Sequence, residues 1–158
     1  FTCARPNDTE VLKAAWKPVF DKHRVDLVLQ GHDHCYSRLT SDAGREASAA
    51  ARAEGELQGP VYLVSVTGSK MYGLNDRADT QPDRYAEDTE LYQVVDVTPE
   101  RLEFRTYTTT GRLYDGFDLV RQPGGGNRLE ETDGLIPLRR CTGTTGPDGV
   151  PCVARPKD

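Results

Sequence analysis

The chain has 158 residues, of which 36% are hydrophobic and 28% charged. This composition is typical of a globular domain with one core. The formal net charge is −5 and no basic patch or stripe is present, so we expect no nucleic-acid partner. No apolar run approaches the roughly 20 residues of a membrane span, so we expect no membrane partner either.

The first predicted element is a helix with Asn7 as its N-cap. Its apolar residues recur at helical spacing and form one stripe, made of Val11, Leu12, Ala15, Trp16, Val19 and Phe20. Pro18 falls inside this pattern and is expected to kink the helix or split it. We expect Trp16, Phe20 and the more distant Phe104 to lie in the core.

Two short aliphatic segments, 25–30 and 60–67, predict buried strands that end at Gly31 and Gly68. A helix followed directly by a buried strand indicates an α/β unit. In such units, functional residues collect just beyond the carboxyl ends of the strands. His32 and His34 have that position, and Gly31 is expected to allow the tight exit from the strand.

The polar segments 39–58 and 69–89 predict loops. From residue 91 onward the apolar period is two, which predicts an antiparallel meander of three strands at 91–97, 101–107 and 113–120. The predicted fold class is therefore α+β, with a mixed or antiparallel sheet and one N-terminal helix.

The glycine run at 124–126 predicts a linker. We therefore divide the chain into a body, 1–122, and a Gly/Pro-rich tail, 123–158. In the tail, Cys141 and Cys152 bracket a segment of turn-forming residues that a disulfide would stabilise; two free thiols are the alternative. The disulfide implies an oxidising compartment, so we expect a secreted or periplasmic protein.

The pair His32 and His34 suits metal binding, because neutral imidazole is a common ligand of transition metals. Two residues apart in an irregular loop, both rings can turn toward one metal centre or toward two adjacent ones. From residue types alone, surface histidines or a histidine hydrogen-bonded in the core fit equally well.

The segment after the first strand reads Gly31-His32-Asp33-His34-Cys35-Tyr36-Ser37-Arg38. It resembles the last metal motif of calcineurin-like metallophosphoesterases, in particular the purple-acid-phosphatase-like branch, whose motif is Gly-His-x-His-x-Tyr-x-Arg. Every fixed position of that motif is present. The strand at 59–68 and the meander are also similar to the elements that come after the motif in that family, so the resemblance covers about residues 7–120. It implies that the fold is half of a two-sheet sandwich.

The resemblance implies that His32 and His34 are metal ligands, one to each ion of a dinuclear centre of iron, manganese or zinc. Such a centre generates a hydroxide that attacks a phosphate ester. The family's other ligand segments, an Asp-x-His or Asp-x-Gly, a Gly-Asp, an Asn-His-Glu or Asn-His-Asp and a further His, are not found here. The chain, which begins at Phe1 without an initiator Met, therefore resembles the C-terminal part of such an enzyme, as a fragment or a processed product.

Two histidines alone are an incomplete site, because a catalytic zinc normally takes three protein ligands. We expect this chain alone to be inactive, with partial or no metal occupancy. Half of a sandwich would expose an apolar sheet face. We therefore expect a homo-oligomer, or association with the missing N-terminal half, and a clean monomer in light scattering would count against this.

Three further motif residues are candidates for supporting the metals or contacting the substrate. Asp33 either orients an imidazole or is a solvated loop carboxylate. Tyr36 belongs to the motif, and Arg38 either binds a phosphate oxygen or holds the loop through backbone carbonyls. Cys35 could coordinate metal, pair with Cys3 or be a buried thiol.

The alternative function, from another class, is a non-catalytic β-rich interaction module in which His32 and His34 are incidental. Metal content separates the two hypotheses, since only the enzyme requires stoichiometric metal in the full-length protein.

Overall fold

A computed structural model describes residues 7–40, 56–57, 59–74 and 83–135. Within these residues the chain forms one helix, α1 (Asn7–Lys22), and nine strands. The strands are β1 (Leu27–Gln30), β2 (Tyr36–Thr40), β3 (Glu56–Leu57), β4 (Val61–Val64), β5 (Arg84–Ala86), β6 (Leu91–Val97), β7 (Arg101–Thr108), β8 (Leu113–Arg121) and β9 (Asn127–Glu131).

The strands form two sheets. The first has the order β1-β4-β2-β5, with β1 parallel to β4 and all other pairs antiparallel. The second has the order β3-β9-β8-β7-β6 and is antiparallel throughout. One helix with two mainly antiparallel sheets confirms the predicted α+β class, and β6, β7 and β8 are the predicted meander.

The buried core draws on both sheets. Its fully buried side chains are Tyr36, Val61, Leu63, Ala86, Leu91, Phe104, Tyr114, Phe117 and Leu119. Burying one large apolar side chain stabilises a fold by about 1.5–3 kcal/mol, so this cluster is the main support of the sheets. The core position predicted for Phe104 is confirmed, and its ring stacks on Phe117 at 4.9 Å between centroids.

Helix α1 leaves much of its apolar stripe exposed. Trp16 is 53% exposed and Val11 72%, so the prediction of Trp16 as a core residue is wrong. The Phe20 ring lies 6.3 Å from the Tyr62 ring, between centroids, and is half-buried. Pro18 lies inside α1, which continues through it to Lys22, so the helix is not split there. The helix is too short and too polar to cross a membrane.

The second sheet continues past the predicted boundary between residues 122 and 123. Strand β9 pairs with β8 from Phe117 to Arg121. The intervening glycines form a tight turn, in which the Gln122 N–H donates to the Gly126 carbonyl at 2.8 Å and Gly125 has a φ of 87°. The prediction of a linker at 124–126 is therefore wrong. The Cys141–Cys152 pair lies outside the described residues.

The two predicted loops also contain strands. Residues 39–58 include the end of β2 and all of β3, and residues 69–89 include β5. These strands are two to five residues long and lack a clear two-residue period, which explains why sequence patterning did not find them.

Candidate metal centre

The two motif histidines lie at the edge of the first sheet where two parallel strands end. Gln30, the last residue of β1, is opposite Val64, the last residue of β4. The chain leaves β1 there, passes through residues 31–35 and returns as β2 on the far side of β4. His32 and His34 therefore lie beyond the carboxyl end of β1, as predicted, but the prediction that this strand is buried is wrong, since Leu29 is 57% exposed at the sheet edge.

His32 lies at the centre of a strained turn. The Asp33 N–H donates to the Gly31 carbonyl at 3.0 Å, and His32 between them has a φ of 76°. A hydrogen bond across three residues with a positive central φ defines the rarer form of γ-turn, which is strained. The sequence suggested that Gly31 would provide the tight exit from β1, but the positive φ falls on the exposed His32 instead.

His34 is held by the segment that follows β4. Its Nδ1 lies 2.7 Å from the Lys70 carbonyl oxygen, and the Tyr72 N–H donates to the His34 carbonyl at 2.8 Å. The Tyr72 ring meets the imidazole edge-on at 4.8 Å between centroids. A carbonyl only accepts hydrogen bonds, so Nδ1 must carry the proton. In the neutral ring the lone pair is then on Nε2, the arrangement usual for a metal-ligating histidine.

These two imidazoles fit part of a transition-metal site. Nitrogen donors of this type suit zinc, iron and other first-row metals. No group of three or more His, Cys, Asp or Glu side chains that could hold a metal occurs within the described part of the chain. The described donors therefore account for two ligands, and a complete centre needs others.

Asp33 and Cys35 alternate with the histidines and point into the protein. Asp33 is only 2% exposed, which excludes the interpretation as a solvated carboxylate. Cys35 is fully buried and disulfide-bonded, so its sulfur is neither a thiol nucleophile nor a thiolate ligand. Its partner lies outside the described residues, and pairing with Cys3 stays a prediction.

Tyr36 and Arg38 lie on the same face of β2, because side chains in a strand alternate, and both are buried. The Tyr36 hydroxyl donates to Asp115 Oδ2 at 2.6 Å. Arg38 donates to both carboxylate oxygens of Asp115, at 2.8 and 3.2 Å, and to both of Glu131, at 2.9 and 2.8 Å.

This geometry changes the expected role of Arg38. Carboxylates of β8 and β9 hold its guanidinium, rather than backbone carbonyls of the loop. The side chain is 2% exposed and all three of its nitrogens donate to carboxylates. In this arrangement Arg38 has no surface on which to bind a phosphate oxygen, and it ties β2 to the second sheet.

The surroundings of Tyr36 and Arg38 fix the protonation states of both side chains. Burial acts to lower the pKa of Arg38, but the charges of Asp115 and Glu131 outweigh it and raise that pKa above its ordinary value. Burial, and then the charge of Asp115, raise the pKa of Tyr36 well above 10.0. Arg38 is therefore cationic and Tyr36 neutral throughout the ordinary pH range.

The raised pKa of Tyr36 predicts a loss of stability in alkali. Above about pH 10 the unfolded chain loses the phenol proton while the folded chain keeps it, so the unfolded state binds fewer protons and the free energy of unfolding falls as pH rises. Tyr36→Phe should flatten this fall by up to about 1.4 kcal/mol per pH unit. Urea unfolding at pH 9 to 11.5 measures it. Tyr92→Phe, at a side chain that is 43% exposed, is the control, and an equal effect of both variants would contradict the prediction.

Sequence patterning missed the partners of the motif. Lys70 acts through its backbone carbonyl, which is the same in every residue type, so no signal could have found it. Asp115 did leave a signal, because a carboxylate between the apolar residues of strand β8 needs a buried partner, although Asp118 of the same strand left the same signal. Glu131 lies in the segment interpreted as tail.

No protein-family model, no curated protein and no solved structure matches the chain. No comparison identifies the chain as a metallophosphoesterase, so that resemblance stays a prediction.

Proposed function

We propose that this chain supplies two imidazole ligands, His32 and His34, to a dinuclear transition-metal centre that hydrolyses phosphate esters. The remaining ligands would come from polypeptide outside these 158 residues, and the chain alone would be inactive. The observation that supports this best is a strained turn at His32 beside a His34 ring whose Nδ1 is engaged by the Lys70 carbonyl.

Both halves of that observation have a physical reason in metal binding. A strained backbone conformation raises the free energy of the fold by about 1–3 kcal/mol and tends to occur at functional sites. A hydrogen bond from Nδ1 fixes the ring orientation and makes Nε2 the ligand atom. Incidental surface histidines require neither feature.

Two metal ions, when bound, polarise a phosphoryl oxygen and provide a hydroxide nucleophile. The residues of this chain would orient and support that chemistry. Lys70 and Tyr72 hold the His34 ring, while the buried Tyr36 and Arg38 hold the strand β2 that comes next. A phosphate ester is the substrate class that such a centre serves, and the disulfide-bonded Cys35 supports export to an oxidising compartment.

Metal content and hydrolysis of p-nitrophenyl phosphate test the proposal. The full-length protein should contain two iron, manganese or zinc ions per chain and hydrolyse the ester, whereas residues 1–158 alone should not. A full-length protein without stoichiometric metal would refute the proposal. So would hydrolysis by the purified 158-residue chain at an ordinary enzymatic rate.

One observation favours the alternative of a non-catalytic interaction module. Exposed apolar side chains lie on α1 and on β1, one of the two edge strands of the first sheet: Val11, Trp16, Val19 and Leu29. Apolar patches of this kind mark contact surfaces, and the missing half of an enzyme or a second copy of the chain would cover them equally well.

Light scattering tests whether a second copy of the chain covers these exposed apolar side chains. We expect the isolated chain to have the mass of a dimer or larger assembly, and Trp16→Glu to convert it to a monomer by placing a charge in the contact. Arg112→Glu, at an exposed position in the turn between β7 and β8, is the control and should leave the mass unchanged. A monomeric natural chain would contradict both a homo-oligomer and an uncovered half-sandwich.

A further inference from the structure

We infer that the buried pair of Arg38 and Asp115 positions the metal-binding nitrogen of His34. This inference rests on the proposed function and adds two positioning residues to it. Neither side chain would touch metal or substrate. They would act through β2, the strand that begins two residues after His34.

His34 is held from two sides, by the segment after β4 and by strand β2. The Arg38–Asp115 pair acts on the β2 side. On one side, the segment after β4 holds it through the Lys70 carbonyl and the Tyr72 N–H. On the other side, Cys35 alone separates it from Tyr36, whose hydroxyl is bonded to Asp115. A shift of β2 relative to β4 would therefore pull Nδ1 away from the Lys70 carbonyl.

Asp115 links β2 to the second sheet through two of its side chains. The Asp115 carboxylate is fully buried and accepts bonds from Tyr36, from Arg38 and from the Gly116 N–H. Two of these donors are alternate residues of β2, so one carboxylate of the second sheet holds the strand at two positions. The Glu131 side chain, which is 53% exposed, bonds Arg38 but not Tyr36.

Burial makes the network sensitive to partial loss. In a low dielectric, a fully satisfied polar network is rigid, whereas a partly satisfied one is unstable and rearranges. If Asp115 loses its charge, Arg38 keeps its bonds to Glu131 but loses the carboxylate that holds its Nε. We expect the guanidinium to move toward Glu131 or water and to displace β2 together with His34.

Nuclear magnetic resonance of the metal-free chain tests the inference directly. With ¹⁵N-labelled histidine at pH 8, where an ordinary imidazole is neutral, the natural chain should show His34 as a single tautomer protonated at Nδ1. Asp115→Asn should abolish this signature and leave His34 in exchange between tautomers. The matched control is Asp118→Asn, in the same strand, since Asp118 is also buried and paired with an arginine, Arg105, at 2.6 Å.

An unchanged His34 signature in a folded Asp115→Asn chain would overturn the inference, and so would equal effects of the two variants. If Asp115→Asn does not fold, the double variant Arg38→Met with Asp115→Leu decides, because it removes both members of the pair and leaves neither charge buried without the other. It should weaken the Nδ1 signature, and Tyr114→Phe, which removes the hydroxyl that donates to the Tyr85 carbonyl at 2.6 Å, should not. An unchanged signature in the double variant would then overturn the inference.

The Asp115→Asn variant of the full-length protein separates this inference from the function on which it rests. Asp115→Asn should weaken metal affinity by about 10-fold, the lower end of the effect of outer residues at metal sites. A full-length protein that binds no metal would refute the metal centre, while the effect of Asp115 on the His34 tautomer would still be measured.

Discussion

Replacing Arg38 by methionine is expected to lower the free energy of unfolding by about 3–5 kcal/mol. The methionine fills much of the same space but leaves the buried Asp115 carboxylate without its two guanidinium bonds. Arg84 is 3.8 Å from Asp115 and compensates only in part. Since small domains are stable by about 5–15 kcal/mol, this one change removes a large fraction of the total. Urea unfolding at pH 7 measures it.

Arg105→Met is the matched control. Arg105 also pairs with an aspartate of β8, Asp118 at 2.6 Å, but its side chain is 23% exposed against 2% for Arg38. Water can take over part of the interaction, so we expect a loss of about 1 kcal/mol. Equal losses in the two variants would show that burial of the Arg38 network does not govern stability.

A second replacement separates the charge from the packing. The double variant Arg38→Met with Asp115→Leu removes both charges, and apolar residues in place of a buried ion pair are often neutral or stabilising. The double variant should therefore recover much of the loss caused by Arg38→Met. No recovery would mean that the single variant fails through lost packing, including the contact of the guanidinium with the Phe117 ring at 5.3 Å.

The meander and the place of the motif could be predicted because each depends on local pattern. Apolar and polar residues alternate along much of β6 and β7, so a two-residue period is visible in the sequence. Strand β8 was found from the turn that precedes it, since it is buried on both faces. The helix was found from the helical spacing of its apolar residues. Its packing was not, since the exposure of Trp16 depends on what else covers that surface.

The features that hold the motif depend on contacts between distant residues. Arg38 meets Asp115 and Glu131 across 77 and 93 positions of the chain. The positive φ of His32 follows from how β1 and β2 must connect across the end of β4, which no local pattern encodes. A motif defines residue types at a fixed spacing, whereas the strain and the hydrogen bonds that orient them arise only in the fold.

His32→Gly in the full-length protein is expected to lower metal affinity by more than about 100-fold, since loss of a residue that merely supports a ligand already lowers it by 10–100-fold. The natural φ of 76° at His32 is easily adopted by glycine, which has no Cβ. Relief of this strain opposes the added freedom of the unfolded chain. The free energy of unfolding should therefore stay within about 1 kcal/mol of its natural value.

Two controls isolate the role of the ring. Arg24→Gly removes an exposed side chain from a residue with a φ of 50°, so it reproduces the change of backbone without touching the motif. His23→Ala removes the one histidine of the sequence that lies outside the motif. Both variants should retain full metal content in atomic absorption measurements of the purified protein.

The combination of outcomes in His32→Gly distinguishes a ligand from a structural residue. A structural residue that is lost weakens the fold, and metal would be released only because the protein unfolds. A ligand held in a strained turn behaves differently, because its removal leaves the fold intact and eliminates the metal. Retention of both metal ions in His32→Gly would refute the assignment of His32, and retention in His34→Ala would refute the assignment of His34. Retention in both variants would leave the interaction module as the better explanation of the chain.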